Sequence, residues 1–248
     1  MKRLVVVLAV LALLHANEAA AGAWTQAKGS RFLKIDAQLV RGKSFREVNG
    51  GKVAIPTLAD YTTSLYGEHG LRDDLTLVGY LPFFKRITLN KQVGRPSGFV
   101  YFEGDDVTGM GDALLGLRYR LARFGSTVLS AEFALGLPLG EDTQANGLLT
   151  GDGEFNQRLL IQAGHSFCPV AAYCNVDLGF NNSIKGFSDE LLYAAEFGYT
   201  FKGHLTAILR VRGIESRENG DDGVGGGMGG STPTTRATSP TARNSSTI

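Results

Sequence analysis

The chain has few cysteines, few histidines and almost no excess charge. With 2 Cys and 4 His, and with none of the histidines spaced to share a ligand set, the sequence predicts no metal site. A net charge of +1 gives no electrostatic reason to expect a nucleic-acid partner. Gly225, Gly227 and Gly230 match a dinucleotide fingerprint in spacing, but no strand precedes them and no patterned helix follows. We therefore expect no cofactor.

Long apolar runs are confined to the N-terminus. Lys2 and Arg3 precede an apolar run, Leu4 to Leu14, which is too short to span a bilayer as a helix. The small residues Ala19 to Ala21 follow, so residues 1–21 are predicted to be a secretory signal peptide cleaved close to Gly22. An uncleaved N-terminal anchor is the alternative. Because no later segment reaches about 18 consecutive apolar residues, an exported membrane form of this chain would have to cross the membrane with strands.

Residues 111–138 show the clearest periodicity in the chain. Apolar side chains alternate with polar or small ones, break at Gly125, and then alternate again, which predicts a β-hairpin. Each arm has about ten residues, the length that crosses a bilayer when tilted. A hairpin of a soluble β-sandwich could alternate in the same way, but the arm length, tight turn and charged inner face together favour a lipid-facing hairpin. The apolar face contains Leu115, Leu117, Leu129, Phe133 and Leu135.

The same reasoning predicts nine strands and an all-β, antiparallel transmembrane β-barrel over residues 22–213. The polar or glycine-rich stretches 42–58, 83–109 and 139–153 are predicted to be long loops, and Pro82 is predicted to end the third strand. Long loops thus alternate with tight turns, as in outer-membrane barrels. The predicted strands are 31–41, 60–69, 75–82, 111–121, 128–137, 154–167, 173–181, 189–201 and 205–213.

The C-terminal residues 214–248 differ in composition from the rest of the chain. Glycine dominates 223–230, serine, threonine, proline and arginine dominate 231–248, and no aromatic residue follows Phe201. Such a segment cannot bury enough apolar surface to fold, so we expect a disordered tail. Single-chain bacterial barrels usually have an even number of strands. The nine predicted strands therefore suggest a barrel that is incomplete at its C-terminus or closed by a parallel pair.

Charged residues on the predicted inner face form the candidate site. Opposite charges could pair and fill a narrow lumen, or they could line a solute path in a wider one, and the sequence leaves both possibilities open. Outer-membrane lipid is the expected partner of the other face. The predicted lumen-lining residues are Lys34, Asp36, Glu68, Asp112, Arg118, Arg120, Glu132, Arg158, Asp177, Glu196, Arg210 and Arg212.

Two further residue pairs could carry chemistry. Cys168 and Cys174 flank a predicted periplasmic turn, and in an oxidising compartment a disulfide between them is expected; two free thiols are the alternative. His165 and Ser166 are adjacent in a predicted strand and point to opposite faces, so they cannot share a proton. We therefore predict no catalytic site and no enzymatic activity.

Several short motifs resemble one family. The chain begins its predicted barrel with Ala23-Trp24-Thr25-Gln26, and it continues with the segments 64–71, 109–112, 116–119 and 135–140. In these segments, over residues 22–213, it is similar to exported outer-membrane barrels of the phenol-degradation meta-pathway type. The resemblance implies a barrel in the cell outer membrane that helps small, often aromatic, solutes to cross, with no catalytic residues.

These observations predict a passive outer-membrane channel or transporter for small solutes. A structural or surface-interaction barrel with a plugged lumen is the second hypothesis, and a barrel enzyme acting on lipid is the third. Conductance across a planar bilayer separates the first hypothesis from the second. Lipid turnover would single out the third.

Overall fold

The structure, a computed structural model, describes residues 22–46, 52–94, 97–182 and 189–216, and every regular element in them is a β-strand. The predicted signal peptide and residues 217–248 of the predicted tail lie outside this part of the chain. No helix among the described residues is long and apolar enough to cross a lipid bilayer. The strands are β1 (Arg31–Arg46), β2 (Lys52–Arg72), β3 (Leu75–Leu89), β4 (Gln92–Val93), β5 (Val100–Phe102), β6 (Asp105–Gly109), β7 (Ala113–Phe124), β8 (Thr127–Leu137), β9 (Gln157–Ser166), β10 (Ala172–Asn182), β11 (Glu190–Phe201) and β12 (Leu205–Ser216).

The main sheet is an antiparallel meander that curls into a half-barrel. Its order is β1-β2-β3-β7-β8-β9-β10-β11-β12. Strand β3 pairs with β7 along its first half and with β6 along its second half. Strands β6 and β7 therefore occupy one line of the sheet in two pieces, and nine strand positions result. The predicted all-β antiparallel architecture is confirmed, and each of the nine predicted strands has its counterpart.

The two outermost strands run in the same direction. Every neighbouring pair along the path of nine strands is antiparallel, so β1 and β12 are parallel to each other. Within the described residues, each of them pairs with a single neighbour. Each therefore presents a row of backbone groups that no other described strand pairs. Residues 214–216, predicted to begin the disordered tail, instead belong to β12, where they pair with β11, and the rest of the predicted tail lies outside the described residues.

The first predicted loop, residues 42–58, is wrong over its described part. Strand β1 continues to Arg46 and β2 begins at Lys52, with backbone pairing up to Arg46↔Lys52. A register shift between Gly42 and Ser44 absorbs the irregularity. Glycine and charged residues have a low preference for strands, so this stretch was predicted to be a loop. The strands form because pairing with a neighbouring strand outweighs that weak local preference.

The prediction that Pro82 ends its strand is also wrong. Strand β3 continues to Leu89, and much of the predicted loop 83–109 forms β4, β5 and β6. Pro82 lies where β3 changes partner from β7 to β6, opposite a register shift in β2. Its carbonyl accepts a hydrogen bond from the Gly111 amide at 2.8 Å. A residue without an N–H is tolerated there because the ladder is already interrupted.

Long and short connections lie at opposite ends of the sheet, largely as predicted. One end, which we call the turn end, holds the tight connections 73–74, 125–126, 167–171 and 202–204. The other, the loop end, holds the long connection 138–156 and the small β4–β5 hairpin. At the loop end, Leu148 folds back into an apolar cluster with Ile87, Leu89 and Val107.

The two faces of the sheet have opposite polarity. On one, which we call the polar face, charged and polar side chains are almost fully buried: Arg118 is 3% exposed and Glu132 is 2% exposed. On the other, the apolar face, large hydrophobic side chains such as Leu117 and Phe133 are 44% and 49% exposed. Water-soluble proteins show the reverse preference. This reversal is the feature of the fold that bears most directly on function.

Candidate functional site

An ion-pair network occupies the centre of the polar face. The guanidinium of Arg118 donates to Glu68 at 2.8 Å and to Glu132 at 2.9 and 3.1 Å. Glu132 also accepts a hydrogen bond from Arg158 at 3.0 Å. Tyr66 donates its hydroxyl to Glu68 at 2.5 Å. We call these five residues the Arg118 network.

The register of the sheet explains why these side chains meet. Arg118 on β7 lies directly opposite Glu132 on β8, and both side chains point to the same face. On the other side Arg118 lies opposite Thr76 of β3, which lies two positions from Val78, the partner of Glu68 on β2. Charges removed from water must be paired to be tolerated. This network is therefore a set of mutually compensating charges.

Smaller polar clusters continue along the polar face toward β12. Asp177 accepts hydrogen bonds from Asn175 at 2.5 Å and from Gln162 at 3.2 Å. Glu196 accepts hydrogen bonds from Arg210 and, at 2.7 Å, from the Tyr173 hydroxyl. Arg210 itself is half exposed, because it lies on the outermost strand. Pairing thus extends from β2 to β12, and exposure to solvent rises toward the edge.

The predicted residues nearest the sheet edges are the most exposed. Lys34 and Asp36 on β1 form an ion pair at 2.8 Å with side chains 50% and 48% exposed. Arg212 on β12 is exposed as well. Arg120 lies near the turn end and donates to Thr25 at 3.3 Å.

Asp112, which was predicted to line the lumen, binds the connection between β8 and β9. Its carboxylate accepts hydrogen bonds from the amides of Gly140 and Asp152 at 2.8 and 2.7 Å, and so holds both ends of the connection between β8 and β9. It lies just before β7, at the loop end. Burial raises the pKa of the Asp112 carboxyl, although the two amide hydrogen bonds act in the opposite direction.

Sequence reasoning missed Lys85, because residues 83–109 were predicted to be a loop. Lys85 is 1% exposed, and its ammonium lies 3.8 Å from the nearer carboxylate oxygen of Asp60. It lies on the polar face of β3, where the strand runs beyond its predicted end. The alternation of buried and exposed positions changes phase between Pro82 and Lys85, opposite the register shift in β2. Counting by two through Pro82 would therefore have assigned Lys85 to the apolar face, and no local signal identifies it.

Sequence reasoning also missed the position of residues 22–30, which we call the N-terminal strap. The strap crosses the polar face near the turn end instead of joining the sheet as a strand. Ala23 donates its amide to Asn175 at 2.9 Å and accepts a hydrogen bond from Ser130. The carbonyl of Trp24 accepts a hydrogen bond from Arg118 at 3.1 Å. The strap is thus bound to β10, β8 and β7.

The second half of the strap is bound to β2 and β3. The Gln26 amide donates to Thr76 at 2.8 Å, and the Gln26 side chain donates to Glu68 at 2.6 Å. The Gly29 amide donates to the Gly70 carbonyl at 2.8 Å. In total the strap reaches from β10 to β2, and it contacts the Arg118 network through Arg118 and Glu68.

Trp24 provides the main apolar contact of the strap. Its ring meets Tyr173 edge to face, with ring centroids 5.8 Å apart. It also covers Gly164, where a Cβ atom would lie 2.7 Å from the ring. The absence of a side chain at Gly164 therefore makes room for the indole.

The predicted disulfide is not formed in the structure. Cys168 and Cys174 are both free, the first exposed in the turn between β9 and β10 and the second partly buried on β10. His165 and Ser166 occupy successive positions of β9, and His165 hydrogen-bonds to Thr127 at 2.8 Å. Its ring also contacts Phe167, with centroids 4.8 Å apart.

No protein-family model matches this chain, and a search of curated proteins likewise gives no match. The likeness to outer-membrane barrels of the phenol-degradation meta-pathway type therefore rests on the short motifs of the sequence. What the structure establishes is an antiparallel, curled β-sheet with a paired, buried polar face and an exposed apolar face.

Proposed function

We propose that this chain forms the wall of an outer-membrane β-barrel and that small solutes cross the membrane along its polar face. The observation that carries the proposal is the reversed polarity of the sheet. An exposed apolar face is unfavourable in water, but it becomes favourable when lipid covers it. The buried charges of the opposite face would be equally out of place against lipid.

The strand dimensions support a membrane location. Strand β7 has 12 residues, which at about 3.4 Å per residue gives a length of about 41 Å. A tilt of about 45° reduces its height to about 29 Å, close to the roughly 30 Å of a hydrocarbon core. Its outward side chains Leu115, Leu117, Tyr119 and Leu121 are all between 43% and 50% exposed. They would form part of the band that contacts lipid.

The distribution of charge on the polar face suggests where solutes would pass. The Arg118 network fills the face between β2 and β9, and its charges compensate one another. Toward β12 and β1, charged side chains such as Arg210 and Lys34 are half exposed. We place the solute path along this more hydrated part of the lumen. The family resemblance suggests aromatic solutes.

A barrel with a plugged lumen is the second candidate function. It is favoured by the N-terminal strap, which crosses the polar face and hydrogen-bonds to five strands. A barrel of this kind would act through its external loops, where the connection 138–156 and the β4–β5 hairpin extend from the sheet.

The test combines folding with conductance. Mature protein refolded into detergent micelles is expected to be rich in strand and to migrate differently on gels before and after boiling. After transfer to planar bilayers it should show discrete conductance steps. Aggregation of the protein, with no insertion into detergent micelles or lipid bilayers, would refute the membrane location. A protein that inserts in a folded form but never conducts would refute solute passage and support the plugged barrel.

A further inference from the structure

We propose that the N-terminal strap is a releasable latch that narrows the turn end of the lumen, with Gly29 as its hinge. This inference rests on the proposed function, because a latch has a purpose only if the lumen carries solutes. It goes beyond that function by naming the device that controls passage.

The attachment of the strap differs from that of every strand in the main sheet. Ladder hydrogen bonds join the strands backbone to backbone over many positions, for example over 12 paired positions between β11 and β12. Residues 23–26 of the strap are instead bound mostly through side chains of the sheet: Asn175, Ser130, Arg118 and Thr76. Releasing them breaks no ladder hydrogen bond. The strap can therefore leave while the sheet keeps its registers.

The strap crosses a wide part of the sheet with a short piece of chain. From β2 to β10 there are five steps between neighbouring strands, or about 24 Å along the sheet at about 4.8 Å per step. Residues 23 to 29 span at most about 21 Å when extended. The strap therefore spans the curled sheet along a chord, and in a closed barrel it would occupy part of the lumen at the turn end.

A hinge lies at the C-terminal end of the strap. Gly29 has φ +79°, a backbone conformation that glycine adopts easily and other residues rarely do. A short turn follows, with the Ser30 amide donating to the Ala27 carbonyl at 2.9 Å, and β1 begins at Arg31. Rotation at Gly29 would swing residues 22–28 away from the polar face and leave β1 in place.

Trp24 allows the latch to be observed directly. It is the only tryptophan in the chain, and it packs against Gly164 and Tyr173 when the strap is closed. Release would expose the indole to water. Its emission would then shift to longer wavelength, and acrylamide would quench it more strongly.

Gly70→Ala is the variant chosen to release the latch. A Cβ atom at Gly70 would lie 2.0 Å from the Ala27 carbonyl oxygen, so the strap must move to accommodate it. Gly79→Ala is the matched control, because a Cβ atom at Gly79 meets nothing within 4 Å. Asn175→Ala is a second release variant, which removes one hydrogen bond to the strap, from the Ala23 amide, and one to Asp177 on its own strand, and which adds no clash. Its control is Asn181→Ala. Asn181 lies on the same face of β10, but its side chain contacts Glu190.

Trp24 quenching is measured on refolded, detergent-solubilised protein that is heat-modifiable on gels. Single-channel conductance is measured after the same protein is transferred to planar bilayers. We expect stronger quenching and a higher open fraction for Gly70→Ala and Asn175→Ala, and wild-type values for both controls. Loss of one hydrogen bond should raise the ratio of open to closed molecules about fivefold.

The outcomes separate the latch from the proposed function. If the release variants expose Trp24 but conductance does not change, the strap is mobile without controlling passage, and the latch is wrong while the channel stands. If Trp24 quenching matches the controls in both release variants, the strap is a fixed part of the wall and the latch is again wrong. If every variant inserts and none conducts although Trp24 is exposed, solute passage itself is refuted, and the latch fails with it.

Discussion

Removing Arg118 should destabilise the folded protein far more than removing an exposed arginine. Arg118 is 3% exposed, and it lies between two carboxylates that are themselves nearly buried. In Arg118→Met, Glu132 keeps Arg158, whereas Glu68 keeps only the neutral donors Gln26 and Tyr66. Breaking a buried ion pair from one side costs about 3–5 kcal/mol, because a charge is left uncompensated.

The matched control is Arg72→Met. Arg72 pairs with Asp74 at 3.0 Å, but its side chain is 61% exposed. Exposed pairs contribute about 0–1 kcal/mol, so we expect a difference of several kcal/mol between the two variants. The double variant Arg118→Met/Glu68→Gln should recover part of the loss, since it removes the carboxylate that is most poorly compensated.

The assay is reversible urea unfolding in lipid vesicles, followed by the loss of the heat-modifiable band on gels. It yields the free energy of unfolding for each variant under one set of conditions. Equal losses for Arg118→Met and Arg72→Met would refute the account of the Arg118 network as a buried, mutually compensating set. The same conclusion would follow if the double variant were less stable than Arg118→Met.

Four further predictions follow from the structure. Phe133→Arg, on the outward face of β8, should cost about 2–4 kcal/mol near the bilayer midplane, and Phe124→Arg at the turn end about 0–1 kcal/mol; equal costs in the vesicle assay would contradict the assigned membrane position. Asp112→Ala should loosen the connection 138–156, because it removes hydrogen bonds to Gly140 and Asp152; limited proteolysis should cut there faster than in Asp106→Ala, and unchanged cleavage would count against this role. Thiol labelling of unreduced, denatured protein should detect two free thiols; if it detects no free thiol, Cys168 and Cys174 form the disulfide that the sequence predicted. Channels should favour anions only weakly, since Arg118, Arg158 and Arg210 are paired with carboxylates; a clear cation preference in reversal potentials would argue against the arginine-lined path.

The strands and their facing were accessible from sequence because they depend on a local rule. Side chains alternate between the two faces of any strand, so the positions of Leu117 and Phe133 on one face and of Arg118 and Glu132 on the other follow from counting by two. The pairing of Arg118 with Glu132 does not follow from the tight turn alone, because a one-residue register shift between Arg120 and Ala122 lies between the turn and this pair.

Features that depend on distant neighbours were not accessible in this way. Strand β3 passes through Pro82 because its partner changes there, and β1 and β2 extend beyond their predicted ends because each supports the other. Lys85 was missed for the same reason. In each case, pairing with another strand outweighed the local preference of the residues.

The chain's short N-terminal motif shows the difference most clearly. In the sequence, Ala23-Trp24-Thr25-Gln26 is a polar and aromatic stretch with no periodicity, and nothing in it indicates what it contacts. Only the curvature of the sheet brings Asn175, Ser130 and Glu68 close enough for one short segment to bind all three. Sequence by itself determined which side chains face inward, because alternation is local; the tertiary structure decided which of them pair and that the strap crosses them, because both depend on how far the sheet curls.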